Sequence, residues 1–325
     1  MSAGTEAPAG GRAHSSPMPA PVAYQKSLWQ RITVNADLYL FLLPAFTLIV
    51  VFHYVPIYGL QLAFKRFYAA QGIWESPWVG WRNFRIFFNS PSFELIFFNT
   101  LGISLYSIAA GFPMPIILAL LFHHTPHRGF RKTVQMVSYA PHFITVVVLV
   151  GMLYIMLHPN YGPVNLLIEA FGGESVFFMI QPHLFKTIYV FSGVWQHVGW
   201  GSIIYLAALS SVDPGLHESA IVDGATKLAR IWYIDLPMLA PTIVILLILR
   251  FGQILTVGFE KVYLMQNALT IRTSEILATY VYRTGIEQGR IEIGVTVGLF
   301  NAVANFTMLL LVNRISKRFS EHSLF

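Results

Sequence analysis

The 325-residue sequence contains no cysteine. Disulfides, thiolate zinc sites and cysteine nucleophiles are excluded at once. Charge is scarce as well. Only 11% of residues are Asp, Glu, Lys or Arg, against about 25% in a soluble globular domain. No G-x-x-x-x-G-K-[ST] loop occurs, so the chain cannot hydrolyse ATP by phosphate-loop chemistry. No stripe of Lys and Arg interleaved with aromatics marks it for nucleic acid.

Apolar residues fill the gap. They make up 55% of the chain, with 26 Phe and 15 Tyr. A bilayer core needs about 20 consecutive apolar residues in helix. Six stretches qualify: Leu38–Leu62, Leu95–Phe122, Val134–Leu157, Ile188–Ser210, Thr242–Phe259 and Ile293–Val312. The expected fold is therefore an all-α membrane protein with six transmembrane helices. No Asp or Glu lies inside these six cores as drawn, which argues against a proton- or sodium-coupled secondary transporter of a small polar solute. An intramembrane serine enzyme fares no better, because Ser202 and His197 stand five apart on one helix and do not face each other. A purely structural membrane scaffold is the plainest rival.

An even number of spans puts both termini on one side. Whole-loop totals of Lys and Arg barely decide which, at eleven against nine. The short loops decide better. Arg128, Arg131 and Lys132 in one, and Arg314, Lys317 and Arg318 after the last span, put both termini in the cytoplasm by the positive-inside rule. Lys65 and Arg66 argue the other way. The expected organisation is a disordered cytoplasmic tail over 1–30, a membrane domain over 31–318 and a C-terminal tail over 319–325. The tail is rich in Ala, Pro, Ser and Gly and lacks the pattern of a signal peptide. The segment 64–93, rich in Trp and Phe, is expected to lie along the outer headgroups.

Between the fourth and fifth spans the chain interrupts itself with HESAIVDGATKLARIWYIDLPMLAP, 217–241. Asp213 is a good helix N-cap, with Pro214 at the first helical position. Gly224 breaks the helix or permits close backbone approach. A second short helix with Leu228, Ile231 and Trp232 on its apolar face follows, and Pro237 and Pro241 punctuate the entry to the fifth span. The segment 211–241 thus reads as a cytoplasmic helix–Gly–helix elbow.

These residues resemble a known signature. Glu218-Ser219-Ala220, Asp223-Gly224-Ala225 and Ile234-Asp-Leu-Pro237 look like the EAA motif of ATP-binding-cassette importer permeases, with Ser219 in place of the middle alanine. Further stretches, among them 51–64, 76–88, YAPHF at 139–143, 195–200, GFEKVYLMQN at 258–267 and 274–286, are similar to sugar permeases of maltose type. The similarity is to the branch that handles complex oligosaccharides and polysaccharide fragments, including uronate polymers such as alginate. The resemblance implies a permease subunit in a bacterial inner membrane, with a second, homologous permease. It also implies two cassette ATPases, which bind the ATP and Mg²⁺, an extracytoplasmic solute-binding protein and an oligosaccharide substrate. The elbow would then be the coupling helix, through Glu218, Ser219, Ala220, Asp223, Gly224, Ala225 and Pro237. This chain would bind no cofactor of its own.

A sugar path needs polar groups on a wet cavity. The candidates are Gln196 and His197 on the fourth span, Arg250 and Gln253 three apart on the fifth, and Asn301 and Asn305 four apart on the sixth. Interhelical hydrogen bonding is the competing role for the asparagines. Snorkelling to the cytoplasmic interface is the competing role for Arg250. His123 and His127 have the i, i+4 spacing of a metal pair but lack the Glu of H-E-x-x-H, so no metal site is expected.

Overall fold

A computed structural model describes residues 34–319. The expected N-terminal tail 1–30 and residues 320–325 of the expected C-terminal tail lie outside the described residues. Contacts divide the chain into two compact units, Met1–Tyr58 and Gly59–Phe325.

In the first unit, helix α1 (Ala36–Ile49) carries Pro44 in its interior. A π-helical turn, Val50–Tyr54, follows, and then a 3₁₀ stretch, Val55–Phe64, which begins in the first unit and ends in the second. Together Ala36–Phe64 form 29 residues long and apolar enough to cross a membrane.

The second unit opens on the aromatic segment. Lys65 is 2% exposed. Its ammonium donates to the carbonyls of Ile73 at 2.8 Å and Trp74 at 3.0 Å and lies 4.9 Å from the Trp78 ring centre. Asn83, on helix α2 (Arg82–Phe88), ties the segment down by donating to the carbonyls of Ala63 and Lys65. Trp74, Trp78 and Trp81 stay exposed. Lys65 is thus spent inside the fold, and its weight as a sidedness signal falls.

Helices α3 (Phe93–Gly111) and α4 (Pro113–His123) form one 31-residue apolar stretch that Pro113 and Pro115 do not break. The third expected span is not continuous. Helix α5 (Arg128–Tyr139) and the 3₁₀ turn Ala140–Phe143 meet helix α6 (Val146–Met156) at 103°. Pro141 lies just before the bend, and the Thr145 hydroxyl caps the new helix by accepting from Val148 N.

Helix α7 (Pro163–Ala170) leads to α8 (Phe185–Leu209), 25 unbroken residues. At 1.5 Å per residue α8 spans about 37 Å, enough to cross. It is not among the helices apolar enough to be counted by composition, because its middle carries Gln196 and His197. Helix α9 (Pro214–Val222) begins the elbow. Helix α10 (Lys227–Arg230), a π-helical turn (Ile231–Asp235) and helix α11 (Leu236–Phe251) then run as one 25-residue stretch.

This corrects the expected elbow in two ways. No separate second helix exists, and the fifth helix ends at Phe251 instead of Phe259. Pro237 follows directly on the π turn, where the hydrogen-bond register already slips and a missing N–H costs least. The expectation of carboxylate-free spans fails with it, since the longer helix takes in Asp235, which is fully buried.

Helix α12 (Phe259–Met265) and helix α13 (Leu277–Val281) precede α14 (Ile291–Phe319), the final long helix. Among the described residues, four helices are long and apolar enough to cross a membrane, or five if the bent α5–α6 pair is one span.

Two buried clusters sit at the two ends of α8. Phe185 joins Ile103, Val150, Val262 and Met265 at one end. Tyr205 and Leu209 join Ile116, Leu120 and Leu239 at the other. Close packing of these side chains anchors both ends of α8, and its middle is left to line a cavity.

Candidate functional site

The cavity, about 580 Å³, is bordered by α8 from Tyr189 to Tyr205, about 24 Å of helix. Gln196, His197, Arg250 and Gln253 all line it; Asn301 and Asn305 do not. Gln253 is not on a helix. It sits in the turn that begins at Gly252, where α11 ends; a side chain at that glycine would meet Leu309 at 2.6 Å. Arg250 lies at the end of the helix away from the elbow, about 35 Å from Lys227. A side chain placed there cannot snorkel to the elbow's side of the membrane.

Two of the amides each hold a backbone group. Gln196, 3% exposed, donates to the Ile144 carbonyl at 2.8 Å, where the α5–α6 bend leaves that carbonyl without a helical partner. Asn305 accepts from Leu255 N at 2.9 Å and donates to Thr256 Oγ1 at 2.9 Å and to Asn301 Oδ1 at 3.0 Å. The asparagine pair therefore closes the turn after α11. His197 Nδ1 lies 3.2 Å from His142 Nδ1, so one of the two nitrogens must carry the proton. His142 in turn stacks on Trp200 with ring centres 4.5 Å apart.

Glu260 and Lys261 stand just past the expected fifth span, in a region that the resemblance suggests meets the cavity or the binding protein. Lys261 is not among the path candidates, and the structure places it on the cavity wall. Its side chain is 8% exposed. The ammonium donates to the Tyr189 carbonyl at 2.9 Å and sits 4.8 Å from the Tyr189 ring centre. Gly193 leaves the room, since a Cβ there would stand 3.3 Å from Nζ. Burial pushes the ammonium down to about 8, so it stays charged at neutral pH. The cavity thus carries Arg250 and Lys261, and among the described residues that line it there is no carboxylate. The resemblance of GFEKVYLMQN points to the region, but the contact itself depends on α12 folding back onto α8.

The elbow forms a second surface. Asp213 Oδ1 accepts from Gly215 N at 2.9 Å and caps α9, as its sequence predicts. Gly224 has φ +79°. Around it, Ala225 N donates to Ala220 O at 2.8 Å and Gly224 N to Ile221 O at 3.0 Å, the paired bonds of a Schellman C-cap. The glycine is required by this left-handed turn, not by a neighbour, because a Cβ would have open space. Glu218, Ser219, Asp223 and Gly224 are exposed, and Ala220 and Ala225 are half-exposed. Leu216, Ile221, Val222 and Leu228 are exposed beside them, Val222 at 87%. Pro237 is exposed on the following helix.

Apolar helices of crossing length, a cationic cavity among them and a capped, exposed elbow define a membrane permease. The region 111–321 matches the family of binding-protein-dependent transport system inner membrane components, and the chain belongs to that family. It is 39% identical over 301 residues to the polygalacturonan/rhamnogalacturonan transport system permease protein YteP of Bacillus subtilis (strain 168), covering 93% of this chain and 94% of that one. A chain in the crystal structure of a bacterial alginate ABC transporter in complex with an alginate pentasaccharide-bound periplasmic protein superposes with TM-score 0.84 at 39% identity, covering 92% of this chain and all of that one. A second structure, of a bacterial ABC transporter involved in the import of the acidic polysaccharide alginate, gives TM-score 0.84 at 40% identity.

Proposed function

We propose that this chain is the permease subunit of an ATP-driven importer for acidic oligosaccharides, uronate fragments above all, and forms half of their path across a bacterial inner membrane. The observation that carries the substrate class is the cavity wall, which holds Arg250 and Lys261 and no carboxylate. Two fixed cations attract a polyanionic sugar and repel no part of it. The named substrates of the relatives, polygalacturonan and alginate, are polyanions of this kind.

The remaining parts follow from the family. A second, homologous permease completes the path, and a solute-binding protein delivers the sugar from outside. Of the two cassette ATPases, one docks on the second permease's elbow and the other on this chain's elbow. Its exposed Leu216, Ile221, Val222 and Leu228 supply apolar surface for a groove, and Glu218 and Asp223 supply charge. ATP binding by the partners shifts the spans between inward-open and outward-open arrangements. Six crossings, with α5–α6 and α8 included, leave both termini on one side, and the basic short loops favour the cytoplasm for that side. The chain itself is not an enzyme.

The test is ATP hydrolysis by the four-component complex in proteoliposomes. Binding protein loaded with oligogalacturonate or oligoalginate should stimulate it several-fold, and binding protein loaded with neutral maltooligosaccharide should not. Arg250→Gln should lose most of the stimulation. Equal stimulation by neutral sugar, or an unaffected Arg250→Gln complex, refutes the acidic substrate class.

A further inference from the structure

Beneath the elbow lies a cluster that neither sugar passage nor ATPase docking uses. Asp235, fully buried, sits among three histidines from two other elements: His123 and His124 at the end of α4 and His217 on α9. Its Oδ2 is 2.6 Å from His124 Nε2, a hydrogen bond that fixes the carboxylate. Its Oδ1 is 3.1 Å from His217 Nε2. That second pair is not aligned as a hydrogen bond. Both atoms are buried and neither has a hydrogen-bond partner.

An unpartnered carboxylate oxygen facing an unpartnered imidazole nitrogen is costly in a protein interior. Two donor atoms on one tetrahedral zinc ion stand about 3.3 Å apart, given zinc–ligand distances of about 2.0–2.1 Å. The 3.1 Å pair fits that spacing. One ligand atom each from His123, His217 and Asp235 lie within 4.8 Å of one another. The His123 ring, centred 5.8 Å from that of His217, is half-exposed and needs only a small swing to close the set.

The geometry points to a divalent transition-metal site of the zinc class, with His123, His217 and Asp235 as ligands and a water in the fourth position. His124 is a positioning residue: it holds the second carboxylate oxygen, the arrangement by which outer partners orient metal ligands. Imidazole and carboxylate donors without thiolate suit zinc or nickel over the softer copper(I). The ion ties the end of α4, the start of the elbow and the α10–α11 helix at one point. The inference is independent of which solute is carried.

The test uses the full chain, purified in detergent through a tag without histidine. Zinc alone is the probe, read as bound metal per chain after dialysis, with cobalt(II) absorption as a second readout. One zinc per chain is expected, together with the intense visible bands of four-coordinate cobalt. His217→Ala should weaken binding at least about 100-fold, and His124→Gln should weaken it about 10-fold. His127→Ala, an exposed histidine of the same loop, should leave it unchanged. If His217→Ala does not fold, His123→Ala at its half-exposed position carries the same expectation. Sub-stoichiometric zinc in the wild type, or full binding that survives loss of His217 or His123, overturns the assignment.

Discussion

Replacing Lys261 with Met should make the protein more stable and a poorer transporter of acidic sugar. The folded protein holds the ammonium at about 8 against an ordinary 10.5, which corresponds to about 3 kcal/mol at about 1.4 kcal/mol per unit. That is the cost of keeping a charged amine in the wall. Met has neither the charge nor the cost, and it fills a similar volume. The Tyr189 carbonyl is not orphaned by the change, because Ser192 Oγ also donates to it at 3.2 Å. Allowing about 1 kcal/mol for imperfect packing, Lys261→Met should gain about 2 kcal/mol at pH 7, on the order of 5 °C in Tm. The sign with pH is fixed by the direction of the shift. Below 8 the lysine is charged in both folded and unfolded states, and the cost is felt in full. Between 8 and 10.5 the folded state sheds its proton first, so wild-type stability rises with pH. The gap between wild type and variant should therefore close over that window. Thermal unfolding of both proteins in detergent from pH 7 to pH 10.5 reads it out, alongside oligouronate uptake by the reconstituted complex. A variant less stable than wild type at pH 7, or a gap that does not change with pH, would refute the reasoning.

Substitutions at four other positions have outcomes that follow from the same structure. Asn305→Ala leaves the buried Leu255 N–H without its acceptor and should cost about 1–3 kcal/mol, read as Tm. At Gly199 a Cβ would stand 2.0 Å from the Ser138 carbonyl oxygen, so Gly199→Ala should force α8 off the end of α5 at a cost of about 1–3 kcal/mol. Gly151→Ala, inside α6 with open space at its Cβ, should instead gain about 0.5 kcal/mol. Gly224→Leu must hold a side chain at φ +79°, at about 1–2 kcal/mol. It should fold and yet lose binding-protein-stimulated ATP hydrolysis, whereas Gly224→Asn, tolerated in that region, should retain more.

Much of this was legible because the bilayer permits so few solutions. Long apolar runs had to be helices, and α1, α3–α4 and α14 lie where their runs lie. The elbow's first helix was legible from its cap, since Asp213, Pro214 and Gly224 each have one local reason to be there. The fused α10–α11 helix was not. Pro237 and Pro241 read as punctuation, and no local pattern announces the π turn at Ile231–Asp235 just ahead of Pro237, or that the helix runs on through Pro241. Asp235 was missed for the same reason, because a span drawn from Thr242 leaves it in a loop. Lys261 required a long-range fact: its partner Tyr189 stands on α8, which the intervening chain brings alongside only after α11 ends at Gly252.

Two of the amides named as candidate solute contacts, Gln196 and Asn305, show how polar groups in these spans divide their work. Backbone that leaves the helix at membrane depth needs partners for its freed groups. The unit from Gly59 onward has a break at Ile144 and another after Gly252, and at each a neighbouring helix supplies an amide: Gln196 to the Ile144 carbonyl, Asn305 to Leu255 N. An amide suits this task because it offers donor and acceptor without charge. The cations are arranged differently. Arg250 is exposed to the cavity, and Lys261 keeps its charge there at a cost in stability. Stability and solute choice should therefore respond to different substitutions. Gln196→Leu removes the partner of the bend and should lower Tm while the preference for acidic over neutral sugar persists. Arg250→Gln should leave Tm nearly unchanged while that preference collapses. If both variants moved both properties together, the amides and the cations would belong to one network, and the division drawn from their hydrogen bonds would be wrong.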